Sequence, residues 1–167
     1  MRYPIKWIVI HHSATGRKTT VESIRTYHVG TQGWSDIGYQ NLIRQPDDGK
    51  PVEIYAGRAY DGDGYIDPWE WGAHARGANH QSISICLIGN WSVQRCPEAM
   101  RENAAWLAAE YCNKLNLSPD AVVGHREVPG ATPTECPGLR FNLDEFRRLV
   151  TNRLDSLKLI RTQGHLG

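Results

Sequence analysis

Three side chains able to hold a divalent metal stand where strand ends should place them. His11 closes the apolar run Ile5-Lys6-Trp7-Ile8-Val9-Ile10, His125 follows Ala121-Val122-Val123-Gly124, and Cys136 lies in the loop after it. Two neutral imidazoles and a thiolate suit Zn²⁺. Three protein ligands leave a fourth position for water, whose pKa the metal lowers to about 7 while polarising a carbonyl. Spacing alone carries little weight. His11 and His125 lie towards opposite ends of the chain, and no His-Glu-x-x-His motif occurs. On that footing His11 could equally be a hydrogen-bonded strand-end histidine and Cys136 a small buried hydrophobe.

The elements that must position these groups follow from pattern. The β-branched run over 5–10 does not alternate, so it reads as a strand covered on both faces. Thr19 with Glu22 forms a capping box that opens a helix carrying Val21, Ile24 and His28, with Gly30 ending it. Strands are expected over 39–44 and 52–55, joined at Pro46-Asp47-Asp48-Gly49-Lys50 as a hairpin. A long aperiodic loop over 57–81, rich in Gly, Asp and Trp, precedes a buried strand over 82–89. A helix over 97–115 shows an apolar stripe of Met100, Ala104, Leu107, Ala108, Tyr111 and Leu115. After the short strand at 121–123 and a loop over 128–139, Asn142 with Glu145 caps a last helix to about 157, followed by a frayed tail. The expected fold is α/β: one domain spanning 1–167, with a mixed central sheet of about five strands flanked by helices.

Composition narrows the classes. The 167 residues are 40% hydrophobic and 22% charged with a net charge of +1, which suits a globular chain and argues against a nucleic-acid partner. Cys86, Cys96, Cys112 and Cys136 show no disulfide framework and are expected as thiols, one of them a ligand. The N-terminal apolar run is too short for a signal segment and holds Lys6. No stretch is long enough to span a bilayer. Synthesis in the cytoplasm, without stable membrane insertion and as a monomer, is the expectation.

Four segments in order carry a resemblance. They are Val9-Ile10-His11-His12-Ser13-Ala14-Thr15, Asp36-Ile37-Gly38-Tyr39, His74-Ala75-Arg76-Gly77-Ala78-Asn79-His80-Gln81-Ser82-Ile83, and Gly124-His125-Arg126-Glu127-Val128 through Thr134-Glu135-Cys136-Pro137-Gly138. Over about 5–150 the chain resembles the N-acetylmuramoyl-L-alanine amidases, the family of phage amidase lysozymes and animal peptidoglycan recognition proteins. That resemblance implies one Zn²⁺ held by His11, His125 and Cys136. His12, facing the other side of an extended chain, then has a supporting role. It further implies catalytic parts for Tyr39 and for Thr134, whose hydroxyl can donate to an oxyanion but brings no positive charge. His74, Arg76, Asn79 and Trp34 match a substrate groove for peptidoglycan or a muropeptide. Ten residues separate His125 from Cys136, more than in the typical phage and recognition forms. Cys86 stands where cytosolic anhydro-muropeptide amidases carry an acid, which favours the phage-type arrangement with Tyr39.

Bland readings stand beside these. His74, Arg76 and Asn79 could simply belong to a loop held by turn chemistry. Trp34, Trp69 and Trp71 could stack on sugars or anchor loops. His28 reads as a buried, hydrogen-bonded histidine. Asp61-Gly62-Asp63-Gly64-Tyr65-Ile66-Asp67 fails as a calcium loop because Ile66 holds the position that needs glycine. The favoured expectation is an endolysin that acts on the cell wall after release. A cytosolic recycling amidase and a non-catalytic peptidoglycan-binding module are the alternatives.

Overall fold

A computed structural model describes residues 1–163. Its elements in chain order are β1 (Tyr3–Pro4), β2 (Trp7–His12), α1 (Val21–Thr26) running into a π-helical turn (Tyr27–Thr31), β3 (Asn41–Arg44), β4 (Glu53–Ala56), β5 (Tyr65–Ile66), β6 (Ser82–Leu87), α2 (Glu98–Leu115), β7 (Val122–Gly124) and α3 (Leu143–Gln163). Short 3₁₀ turns, Pro119–Ala121 and His125–Glu127, flank β7. Five strands form a mixed sheet in the order β4-β3-β6-β2-β7, as the patterning predicts. β2 runs parallel to both β6 and β7, β3 runs parallel to β6, and β3 and β4 are the antiparallel hairpin.

β2 is buried on both faces because each has its own cover. Ile8 and Ile10 join Ile85, Leu87, Met100, Ala104, Ala108, Phe146 and Val150 in the larger core, beneath α2 and α3. Val9 packs with Ala75, Ala78 and Val123. On β3 and β6, Leu42 and Cys86 pack with Ile24 of α1 and with Ile37. Small residues let α2 lie close to the sheet. Ala104, Ala105, Ala108, Ala109 and Cys112 are all buried, while Leu107 and Tyr111 pack at the edge of the stripe.

Three details depart from the pattern-based expectation. The cap of α1 is Thr20, whose Oγ1 accepts from the Ser23 N–H at 3.1 Å, not Thr19 with Glu22. Thr19 is engaged elsewhere: its carbonyl accepts from Arg44 Nε at 3.1 Å. β1 pairs with β5 as a separate two-stranded ribbon that holds the chain start against the long loop. α3 continues to Gln163 instead of fraying near 158. The last four residues of the expected tail, 164–167, lie outside the described residues. Asn142 does cap α3, its Oδ1 accepting from the Glu145 N–H at 3.0 Å.

Candidate metal centre

The pleat of β2 separates two adjacent histidines. His12 shares its face with Ile8 and Ile10, and its Nδ1 accepts from the Trp91 N–H at 3.1 Å, a contact inside the main core. His11 shares its face with Val9 and meets Tyr39, His74 and His125 at ring centroid distances of 5.3, 5.0 and 4.7 Å. His125 arrives from the neighbouring strand β7, since Ile10 pairs with Gly124.

Cys136 is brought in by its loop. The Arg126 N–H donates to the Cys136 carbonyl at 2.9 Å, and the Arg126 guanidinium donates to the carbonyls of Glu135, Gly138 and Phe141. Gly138, at φ 115°, lies so close to Trp91 that a Cβ there would collide with the Trp91 backbone. The Cys136 Sγ then sits 3.5 Å from His11 Nδ1 and accepts from the His12 N–H at 3.4 Å. One donor atom from each of His11, His125 and Cys136 lies within 4.8 Å of the others. A zinc tetrahedron with Zn–S of about 2.3 Å and Zn–N of about 2.0–2.1 Å has S···N edges of about 3.5 Å. The Cys136–His11 edge already has that length.

Electrostatics favour ligand binding over proton binding at the histidines. Burial, then the charges His74, His125 and His12 would carry, hold His11 well below the ordinary 6.5. Burial likewise lowers His125. Burial pushes the Cys136 thiol up to about 11, against the opposing pull of the His12 amide and Arg126. The bare cluster is therefore neutral at pH 7, and only an entering cation compensates loss of the thiol proton.

Around the cluster the other expected residues fall into place differently from one another. Burial raises the Tyr39 phenol well above 10.0, with Cys86 and Cys136 adding to the effect, so it remains a donor throughout the neutral range. Its backbone is gripped: the Arg58 N–H donates to the Tyr39 carbonyl at 2.7 Å, and Gly57 packs so tightly there that a Cβ would strike that oxygen. Thr134 Oγ1 accepts from the Cys136 N–H at 3.1 Å, leaving its own proton to donate. His74 is 8% exposed, and its Nδ1 lies 3.0 Å from His11 Nε2. Burial first, then His125 and Arg58, lower it to about 3, so it is neutral. Asn79 Oδ1 accepts from the N–H groups of His74 and Ala75 at 3.0 and 2.8 Å. Arg76 is exposed, and Trp34 is half-buried over the His28 ring at 4.5 Å. His28 itself is buried and accepts from the Gly38 N–H at 3.1 Å, as expected. Trp69 and Trp71 are exposed.

Two contacts were not readable in the sequence: the one between the His11 and His74 rings, and the ties from Arg126. Cys86, opposite His11 across β6 and β2, packs in one apolar cluster with Tyr39. Beside Tyr39 a cavity of about 150 Å³ is lined by Ser13, Thr15, Ser23, Ile24, Tyr27 and His28. A larger cavity of about 470 Å³ between Arg95, Arg101 and Arg140 shares no residue with the metal cluster. Among the described residues no helix is long and apolar enough to cross a membrane.

Fold and site together define an α/β domain with a mixed sheet and a convergent His, His, Cys group able to hold a metal at its rim. The sequence profile of the family described as N-acetylmuramoyl-L-alanine amidase matches residues 1–139, so the chain belongs to that family and is an amidase. Peptidoglycan-recognition protein SC1a of Drosophila melanogaster is 32% identical over 142 residues, 80% of this chain and 68% of that protein. The structure of the N-acetylmuramoyl-L-alanine amidase LysC from Clostridium intestinale superposes with a TM-score of 0.71 at 28% identity, covering 89% of this chain and 87% of that one. The endolysine amidase LysCS from the same organism superposes at 0.68 and 28% identity, covering 89% and 85%.

Proposed function

We propose that the protein is a zinc-dependent endolysin that hydrolyses the amide between N-acetylmuramic acid and L-alanine in intact peptidoglycan. The observation that carries this reading is the convergence of His11, His125 and Cys136 within 4.8 Å at the rim of the sheet. The donor set and the S···N edge fit a catalytic zinc with one position left open. Bound there, the ion supplies a Lewis acid and lowers the pKa of a water to about 7.

The chain's own groups then have defined tasks. Tyr39, still protonated at neutral pH, donates a hydrogen bond to the oxygen that gains charge as the lactyl carbonyl is attacked. Thr134 adds a weaker, uncharged donor from the Cys136 loop. The cavity beside Tyr39, lined by Ser13, Thr15, Ile24 and Tyr27, offers apolar surface with a few hydroxyls to part of a glycopeptide. In this reading exposed Arg76 and half-buried Trp34 contact other parts of it. The endolysin role draws on the likeness to LysCS and on Cys86 standing in place of an acid beside the cluster.

The test joins metal analysis to mass spectrometry of digested walls. One zinc per chain and free L-alanine amino termini on the stem peptides are expected, with both lost in His11→Ala and Cys136→Ala. Cell-wall hydrolysis at the wild-type rate by either variant would remove the zinc mechanism. Faster turnover of soluble anhydro-muropeptides than of intact sacculi would replace the endolysin role with a recycling one.

A further inference from the structure

We infer that His74 is a positioning residue: it accepts the Nε2–H of His11 and so commits His11 to bind the metal through Nδ1. The inference rests on the zinc reading above. It follows from assigning each proton along one line of buried groups. His11 Nδ1 faces the Cys136 sulfur at 3.5 Å, which makes it the metal-side nitrogen. The remaining ring proton of a neutral His11 is then on Nε2, 3.0 Å from His74 Nδ1. If His74 donated across this contact instead, the proton of His11 would move to Nδ1 and block the ligand lone pair. His74 must therefore accept, and its own proton lies on Nε2.

That proton also has a destination. Ser82 Oγ lies 3.5 Å from His74 Nε2, and the Ser82 hydroxyl donates to the Ala78 carbonyl at 2.7 Å, leaving its lone pair turned to the ring. The Asn79 amide fixes the backbone at His74 by accepting from two successive N–H groups. The 57–81 loop, which packs Ala75 and Ala78 against Val9 and Val123, thus ends by setting the orientation of a ligand on the strand beneath it. An outer partner of this kind fixes tautomer and ring angle, and removing one typically costs 10–100-fold in metal affinity.

Competition between the protein and a chromophoric chelator measures zinc affinity directly, with no substrate present. His74→Leu should bind zinc about 10–100-fold more weakly. His74→Asn, whose Oδ1 can stand near the place of Nδ1, should recover most of that loss. Nitrogen-detected imidazole spectra of the zinc-loaded wild type should show His11 with a protonated Nε2 and a metal-bound Nδ1, and this holds whether or not the leucine variant folds. Unchanged zinc affinity in a folded His74→Leu protein, even with a raised KM, overturns the inference, as does metal on His11 Nε2. A wild-type protein that takes up no zinc overturns the zinc reading itself, which the first titration reveals before any variant is made.

Discussion

Raising the pH should tighten zinc binding steeply, and the thiol sets the minimum slope. Cys136 is held at about 11 by burial, so at about pH 7.5 removing its proton costs about 5 kcal/mol, at about 1.4 kcal/mol per unit. Zinc must displace that proton to take the thiolate. His11 and His125 lie below 6.5 and are already neutral above that pH, so they add nothing. One proton per ion means an apparent Kd that falls about tenfold per pH unit. Solvent in the open position, with a pKa near about 7, adds up to a second proton above neutrality. Between about pH 6.5 and 8.5 the affinity should therefore rise at least about 100-fold. Chelator competition across that range gives the slope, and indicator dye in weakly buffered solution counts the protons. A flat affinity, or release of clearly less than one proton per zinc at about pH 6.5, would refute the reasoning, because no buried thiol would then be exchanging its proton for the metal.

Three other outcomes are expected. Tyr39→Phe keeps the ring against His11 but removes the donor, so kcat should fall about 100-fold or more with zinc content unchanged; activity within about twofold of wild type would assign the oxyanion contact elsewhere. Without metal, stability should decline as pH drops below 6.5. His11 and His74 are neutral in the fold, the latter down to about 3, while their unfolded counterparts take protons first. Each histidine contributes up to about 1.4 kcal/mol per pH unit, and urea midpoints that stay level from about pH 7 to 5 would contradict this. Asn79→Ala leaves two backbone N–H groups without their acceptor and should cost about 1–3 kcal/mol for each that stays dry, read as a lowered urea midpoint.

What could be read from the sequence depended on length and repetition. β2, β6 and α2 are long runs with one dominant pattern, and all three lie within a few residues of expectation. The α1 cap slipped by one because two adjacent threonines offer the same hydroxyl, and the carbonyl contact from Arg44 that decides between them is a tertiary fact. β1 and β5 are two residues each and leave no periodic trace. The order within 57–81 comes from a fully buried Glu70, whose carboxylate accepts from the Asp61 and Asp67 N–H groups at 2.7 and 2.9 Å; nothing in the spacing of an isolated Glu foretells this. The ligand triad emerged from motif resemblance and strand-end position. Its support by His74 did not, because hydrogen bonds between residues 63 positions apart have no local signature.

The Arg126 stitch has a consequence for how this scaffold can change. It clamps both ends of the connection to Cys136, so the span 129–133 hangs from a fixed frame. Its contour can lengthen or shorten while the sulfur stays put. That arc thereby becomes an exchangeable piece on a fixed mount. Grafting new sequence into that arc, short of Thr134 and its contact to the Cys136 amide, offers a route to altered wall preference that leaves the cluster in place.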